Sequence, residues 1–375
     1  MSKSIRAAIL GVVVVAFTMA AFVGGASAQV SHHAHTSALT KKGTVAWLGP
    51  ETFTGRWVKD RQDLDKELKK LDKHITIINY NANASISTQI QDANDAESSG
   101  AKVLILAAVD QYGDAPIVNQ AESHGIKVLG YDRMIQSPKL RAYDSFYNPG
   151  VGTEQGTWFK NNVPSGKIVE ILGSSTDHNE FLFNSGFQSV VGPLSGASKK
   201  YQVCYSTTTP NWTPATAGTE MDSAYTDCGT NIKGVYSMND GMAADIYASI
   251  NRHHESGLPL TGQDAQPDGL GRILKHEQGM TVFKNVKFEA DSAAQVAANW
   301  INGKGLPKNY KKSCGIACAQ ADGHHVPSAL FTPESITLGN VADPVKAGFD
   351  TWGGGSGVCA SVGINSSAPY CGLPH

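Results

Sequence analysis

The sequence is poor in charge, and neither sign dominates it. Asp, Glu, Lys and Arg make up 17% of the 375 residues, against roughly 25% in an average soluble protein. The 31 Lys and Arg residues nearly balance the 33 Asp and Glu residues, which leaves a formal net charge of −2 at pH 7. A chain without a basic excess has no field with which to hold a phosphate backbone, so we expect no nucleic-acid partner.

Long apolar runs are also absent, except for one near the N terminus. Two basic residues precede the apolar run over 7–23, and the small residues around Ala26 and Ala28 form a cleavage motif. This pattern predicts a signal peptide over 1–28 and a mature chain that begins at Gln29. An uncleaved membrane anchor is the alternative, although the run is short of the roughly 20 residues that span a bilayer. We expect an exported protein, periplasmic or extracellular, that is soluble once the signal is removed.

Cysteines are few, but their number is even, and none lies near the cleavage motif where a lipid could attach. In an oxidising compartment, an even count favours disulfides. Cys204 is predicted to lie on a strand and Cys228 at the end of the helix that returns beside it, which favours that pair. We predict three pairs: Cys204–Cys228, Cys314–Cys318 and Cys359–Cys371. The alternative is a zinc site at Cys314, Cys318, His324 and His325, whose spacing matches no common zinc motif.

The remaining length suggests two domains, at roughly 150 residues each. Residues 29–42 have no periodicity and are expected to form a flexible lead-in. After them, apolar runs typical of buried strands alternate with helical patterns. The predicted strands are 44–48, 75–80, 103–107, 127–131, 167–172, 201–205, 234–237, 258–261, 280–283 and 329–332. Such an order predicts an α/β fold of two doubly wound parallel sheets, with helices on both faces of each.

Polar side chains follow many of the predicted strands. Ligands of open parallel sheets bind beyond the carboxyl ends of the strands, so these side chains are candidates for a binding site. They are Arg56, Trp57, Asp132, Arg133, Asp177, Asn179, Trp212, Asn239, Asp264 and Lys284. Carboxylates, amides and cations together suit a neutral polyol, because each hydroxyl both donates and accepts, while an aromatic face covers the apolar side of the ring. The alternative is that single Asp and Asn residues only cap the helices that follow.

Four short motifs carry a family resemblance. They are RWVKD at Arg56–Asp60, GYDRMI at Gly130–Ile135, TGQDA at Thr261–Ala265 and MTVFK at Met280–Lys284. Through them the chain resembles the periplasmic sugar-binding proteins of ABC importers, in the branch that binds D-xylose or multiple sugars. The resemblance extends from about residue 43 to 349.

The resemblance implies a type I binding-protein fold, in which two lobes joined by three crossing segments close over one sugar. The implied boundaries are 43–147 with 281–326 for lobe 1, 148–280 with 327–350 for lobe 2, and 351–375 for a disulfide-stapled tail. Arg56, Asp132 and Arg133 would then belong to lobe 1, and Lys284 to a crossing segment. The other polar candidates would belong to lobe 2, where Trp212 resembles a stacking tryptophan of the family.

The implied function is capture of a monosaccharide and its delivery to an ABC permease. D-xylose is the first expected ligand, followed by D-glucose, D-galactose or L-arabinose. The segment Asp177-His178-Asn179 departs from the family's Asp-Asn-Asn, which leaves the sugar open. We expect a monomer that needs no cofactor and no metal.

Three other functions compete with this interpretation. A chemoreceptor or sensor kinase could read the closed form in place of a permease. A secreted glycosidase would use paired carboxylates such as Asp132 and Asp264, but the interleaved cations keep such groups ionised. A repressor with the same fold would need an N-terminal DNA-binding domain, but the pattern at the N terminus predicts an export signal instead. We therefore expect a binding protein and no enzyme.

Overall fold

The structure of the protein is a computed structural model, which describes residues 42–192, 200–311, 320–321 and 323–373. The strands are β1 (Gly43–Gly49), β2 (Ile75–Asn81), β3 (Ala101–Leu106), β4 (Lys127–Tyr131), β5 (Ala142–Phe146), β6 (Gly166–Leu172), β7 (Tyr201–Thr208), β8 (Ile232–Ser237), β9 (Thr281–Phe283), β10 (Gln320–Ala321), β11 (His324–His325), β12 (Ser328–Phe331) and β13 (Glu334–Ile336). The helices are α1 (Arg56–Leu71), α2 (Ile86–Ser98), α3 (Ala115–Ser123), α4 (Asn148–Asn162), α5 (His178–Val191), α6 (Pro214–Cys228), α7 (Asp240–Arg252), α8 (Pro267–Leu274), α9 (Val286–Ile301), α10 (Asp343–Lys346) and α11 (Val358–Ser361). In these ranges no helix has the length and apolarity to cross a bilayer.

The first sheet has six parallel strands in the order β12-β5-β4-β3-β1-β2. Successive residues of β1 face opposite cores: Val45 and Trp47 pack with α1 and α9, whereas Ala46 and Leu48 pack with α2 and α3. Because helices cover both faces, the strands are apolar throughout. This sheet and its helices are called lobe 1 below.

The second sheet is parallel as well, with the order β7-β6-β8, and its core is shared with α4, α5, α6 and α7. It is called lobe 2 below. The predicted strand at 258–261 is wrong in extent, because only Leu260 forms a bridge, to Val235. Pro259 has no N–H for a ladder, which limits pairing there. A Cβ on Gly262 would lie 2.1 Å from Asp240 Oδ1, so only a glycine fits beside that carboxylate.

The chain passes three times between the lobes, after β5, through β9 and after β12. The short strands β9 and β13 pair with each other antiparallel where two of these segments run side by side.

One lobe boundary implied by the resemblance disagrees with the observed strand pairing. The segment from residue 327 was assigned to lobe 2, but β12 pairs in parallel with β5 of lobe 1, with Ser328 opposite Tyr143. The third crossing therefore comes after Phe331, where Pro333 interrupts strand pairing. The two-lobed parallel fold itself is confirmed.

Two of the predicted disulfides are present. Cys204 pairs with Cys228, and Cys359 pairs with Cys371. The third predicted pair, Cys314 with Cys318, lies outside the described residues, and so does the cysteine half of the alternative zinc site. The second disulfide staples a C-terminal tail whose α11 packs against α8. A Cβ on Gly271 of α8 would lie 2.2 Å from Val362, so a glycine is needed for this close approach.

Candidate ligand-binding site

One cavity lies between the lobes at the carboxyl ends of both sheets. All ten candidate residues named from the sequence line it, and Thr54, Phe183 and Gln263 line it as well. Its volume is about 20 Å³, which is the space of one or two water molecules. A pyranose is larger, so a sugar can enter only if the lobes or the lining side chains move apart.

Local structure explains how these side chains reach the cavity. Arg56 begins α1 after the first strand, and Asp132 and Arg133 follow β4 directly. Asp177 caps α5 by accepting a hydrogen bond from the Asn179 N–H at 3.0 Å. In the same way, Asn239 caps α7 at residue 242. Asp177 and Asn239 therefore do cap the helices that follow, and both side chains also border the cavity.

Arg56 joins several carboxylates at the base of the cavity. Its Nη1 lies 2.6 Å from Asp132 Oδ1 and its Nη2 lies 2.9 Å from Glu289 Oε2. Its Nε lies 3.1 Å from Asp60 Oδ2. Burial alone would lower the pKa of Arg56, but these carboxylates raise it well above its ordinary value. Arg56 therefore stays charged, and its guanidinium is held in place by Asp60 and Glu289, which do not line the cavity.

Lys284 is the second buried cation, and it connects carboxylates of both lobes. Its Nζ lies 2.9 Å from Asp264 Oδ1 and 3.7 Å from Asp132 Oδ1. Burial would raise the pKa of Asp132, but Arg56, Lys284 and Arg133 together lower it. Asp132 is consequently an ionised acceptor.

Arg133 and Asp177 form an ion pair between the lobes. Arg133 Nε lies 3.0 Å from Asp177 Oδ2, and the Trp212 indole N–H donates to the same oxygen at 3.2 Å. Burial raises the pKa of Asp177, and Arg133 offsets part of that rise. Asn179 adds another contact between the lobes, because its Nδ2 donates to the Asp132 carbonyl at 3.1 Å.

Aromatic rings border the cavity from both lobes. The guanidinium carbons of Arg56 and Arg133 lie 4.7 Å and 5.1 Å from the centre of the Trp57 ring. In lobe 2, the centroids of Trp212 and Phe183 are 6.3 Å apart. A Cβ on Gly173 would lie 2.0 Å from Trp212 Cη2, so the Trp212 ring fits only over a glycine.

Backbone conformation also marks this site. Asp132 and Asp264 have φ values of 56° and 94°, in the left-handed region that costs energy for a residue with a Cβ. Both residues line the cavity, so this strain lies at the candidate site.

Three lining residues were not among the sequence candidates. Gln263 could have been found, because it precedes Asp264 in the TGQDA motif. Its Oε1 is buried and has no hydrogen-bond partner in the described part of the chain, so it is free to accept from a ligand. Thr54 and Phe183 carry no local signal, since one lies in a loop and the other inside a helix.

The comparisons with known proteins agree with this fold. The family model described as "Periplasmic binding protein domain" matches residues 45–305. The D-xylose-binding periplasmic protein of Escherichia coli (strain K12) is 31% identical over 296 residues, which cover 78% of this chain and 87% of the relative. The multiple sugar-binding periplasmic receptor ChvE of Rhizobium radiobacter is 29% identical, over 80% of this chain and 88% of the relative.

A solved structure shares the fold. It is the carbohydrate transporter solute binding protein from Chloroflexus aurantiacus in complex with D-glucose, which aligns with a TM-score of 0.74 at 22% identity. The alignment covers 83% of this chain and 97% of that one.

Proposed function

Because this chain belongs to the periplasmic binding protein family, we propose that it captures one monosaccharide between its two lobes and delivers it to an ABC importer. The observation that carries the proposal is the meeting of the candidate residues of both lobes at a single cavity. D-xylose is the first ligand we propose, since the E. coli relative is named for it. D-glucose, D-galactose and L-arabinose come next.

The lining chemistry suits an uncharged polyol. Asp132 and Asp264 can accept from sugar hydroxyls, while Arg56, Arg133 and Lys284 can donate to them. Each charge-assisted hydrogen bond contributes roughly 1.5–3 kcal/mol, and stacking on an aromatic ring adds about 0.5–1.5 kcal/mol. A few such contacts reach the roughly −8 kcal/mol of a micromolar complex after ordering costs.

We propose binding without catalysis. A glycosidase needs one carboxylic acid that keeps its proton near neutral pH. Asp132 does not fit that role, because the neighbouring cations lower its pKa. The family and its relatives are substrate-binding proteins, which supports the same proposal.

The proposal is tested by isothermal titration calorimetry of the mature protein with the four aldoses named above. At least one should bind with a micromolar or lower Kd, and it should also raise the melting temperature. A chromogenic glycoside of the same sugar should release no product. No heat and no thermal shift with any of them would contradict sugar capture.

We also propose that the signal at 1–28 exports the chain and that an ABC permease reads its closed form. N-terminal sequencing of the secreted protein should begin at Gln29. Addition of the liganded protein should raise the ATPase rate of its reconstituted transporter, whereas a sensor kinase partner would respond through autophosphorylation instead.

A further inference from the structure

Two loops meet across the cleft beside the cavity, without lining it. One is the lobe 1 loop after β3 and the other is the lobe 2 loop after β6. The Gln111 backbone N–H donates to the Thr176 carbonyl at 2.9 Å. Thr176 Oγ1 donates in return to the Val109 carbonyl at 3.1 Å. None of these three residues borders the cavity.

The lobe 1 side of this contact is held rigidly. The Val109 N–H donates to Gln89 Oε1 and to Asp114 Oδ2, each at 2.8 Å. Gln89 is buried, and its Nε2 donates to the Ala107 carbonyl at 2.9 Å. The Val109 carbonyl is thus a positioned acceptor, which loses little freedom when the lobes meet.

The lobe 2 side is connected to the aromatic wall of the cavity. Ser174 Oγ lies 2.9 Å from Thr176 Oγ1 and accepts from the Asn211 N–H at 3.2 Å. Asn211 immediately precedes Trp212, and Asp177 immediately follows Thr176. The loop that contacts lobe 1 and the residues that border the cavity therefore form one hydrogen-bonded unit.

We propose that Thr176, with Val109 and Gln111, is an interlobe latch that sets the lifetime of the sugar complex without touching the sugar. The proposal rests on the proposed function. The two hydrogen bonds can form only when the lobes are together, so they stabilise the closed form alone. Sugar enters the open form, in which the latch is broken. Loss of the latch should therefore speed sugar release and leave sugar association unchanged.

The test is Thr176→Val, which keeps the shape of the side chain and removes its hydroxyl. Stopped-flow tryptophan fluorescence would follow association and release of D-xylose, or of the tightest aldose found by calorimetry. The change removes the hydrogen bonds of Thr176 Oγ1 to Val109 and to Ser174, but only the bond to Val109 joins the two lobes. Loss of that one interlobe bond, worth about 0.5–1.5 kcal/mol, predicts release that is about twofold to twelvefold faster. The association rate should stay within about twofold, because a mere distortion of the site would lower it as well.

Two control variants separate the latch from general effects. Thr176→Ser retains the hydroxyl and should keep release at the unaltered rate. Thr219→Val makes the same chemical change on the exposed side of α6, where the hydroxyl donates only to the Ala215 carbonyl at 3.1 Å. It should leave both rates unchanged.

The outcomes are distinct. If the unaltered protein binds sugar and Thr176→Val releases it at the same rate, the latch is wrong and sugar capture stands. A fall in association with unchanged release would also contradict the latch. If the unaltered protein binds no monosaccharide, sugar capture and the latch fail together.

Discussion

At the residue scale, the stability of the cavity depends on how its buried charges are paired. Arg56 and Lys284 are almost completely buried, and each is surrounded by carboxylates. Removing one partner from such a pair leaves the other charge desolvated and uncompensated, which costs more than the pair itself contributes. The proposed binding residues should consequently be far more sensitive to substitution than surface residues of the same type.

Asp264→Ala tests this sensitivity in lobe 2. It removes a proposed sugar acceptor and leaves Lys284 without its 2.9 Å partner. We expect the affinity to fall by about 2–4 kcal/mol. The matched control is Asp291→Ala, since Asp291 also pairs with a lysine, Lys287, but on the surface. Calorimetry should show an unchanged Kd for the control. An unchanged Kd for Asp264→Ala as well would mean that Asp264 does not bind the sugar.

The pH dependence of binding should follow Asp177. Its pKa is raised by burial, so it takes up a proton at a higher pH than an ordinary aspartate at about 4. Protonation of Asp177 leaves Arg133 without its charged partner. The sugar affinity should therefore be full above the raised pKa of Asp177 and should fall as the pH drops through it. Calorimetry from about pH 8 to pH 4 would measure the change. Asp177→Asn should bind more weakly and with a flatter profile, and an affinity that rises on acidification would contradict this assignment.

At the element scale, the sequence predicts the strands and helices that follow the repeating apolar pattern, and it misses the elements that depart from this pattern. Strand β4 was predicted with its observed bounds, because its residues form a continuous apolar run, which is the pattern of a strand covered by helices on both faces. Strand β5 was missed because it contains Asp144 and Ser145, which are buried. Helix α8 was missed because Gly269 and Gly271 weaken a helical pattern, although close contacts to Asp240 and to the tail require them.

The same limit applies to the site. The candidates at strand ends could be predicted, because topology places those ends on one edge of each sheet. Asp60 and Glu289 could not be, since they lie within helices and act behind Arg56. The left-handed conformations of Asn211 and Trp212, with φ values of 55° and 58°, also depend on tertiary contacts that no local pattern signals.

Gly173→Ala tests how the end of β6 supports Trp212. The new methyl group would lie 2.0 Å from the Trp212 ring, so the ring must move from its place at the cavity. We expect weaker sugar binding by at least about 1 kcal/mol, the scale of a lost aromatic contact. Gly241→Ala is the control, because its nearest atom would be 3.7 Å away. Unchanged affinity for Gly173→Ala would mean that Trp212 does not stack on the sugar.

At the scale of the whole molecule, the C-terminal tail supports the crossing segments. Phe283 of β9, which directly precedes Lys284, lies in one buried cluster with Val358, Cys359 and Cys371 of the tail. Just before the tail, Phe349 packs edge-on against Phe283 with ring centroids 5.0 Å apart. Cys359 and Cys371 are both buried against α8. The tail therefore stabilises the region from which a cavity cation projects, without bordering the cavity itself.

Replacing both Cys359 and Cys371 by Ser should lower the free energy of unfolding by about 2–4 kcal/mol, because the open chain gains conformational entropy. Urea denaturation would measure the loss. Sugar affinity of the folded variant should stay within about twofold of the unaltered protein. An unchanged denaturation midpoint would show that the tail unfolds independently of the two lobes.

Closure of the two lobes over one sugar is the central claim, and small-angle X-ray scattering tests it most directly. The mature protein should have a smaller radius of gyration in saturating sugar than without it, because binding shifts the lobes toward the closed arrangement. Asp264→Ala should show little compaction at the sugar concentration that saturates the unaltered protein. Sugar binding without any change in the radius of gyration would contradict the two-lobe closure proposed here.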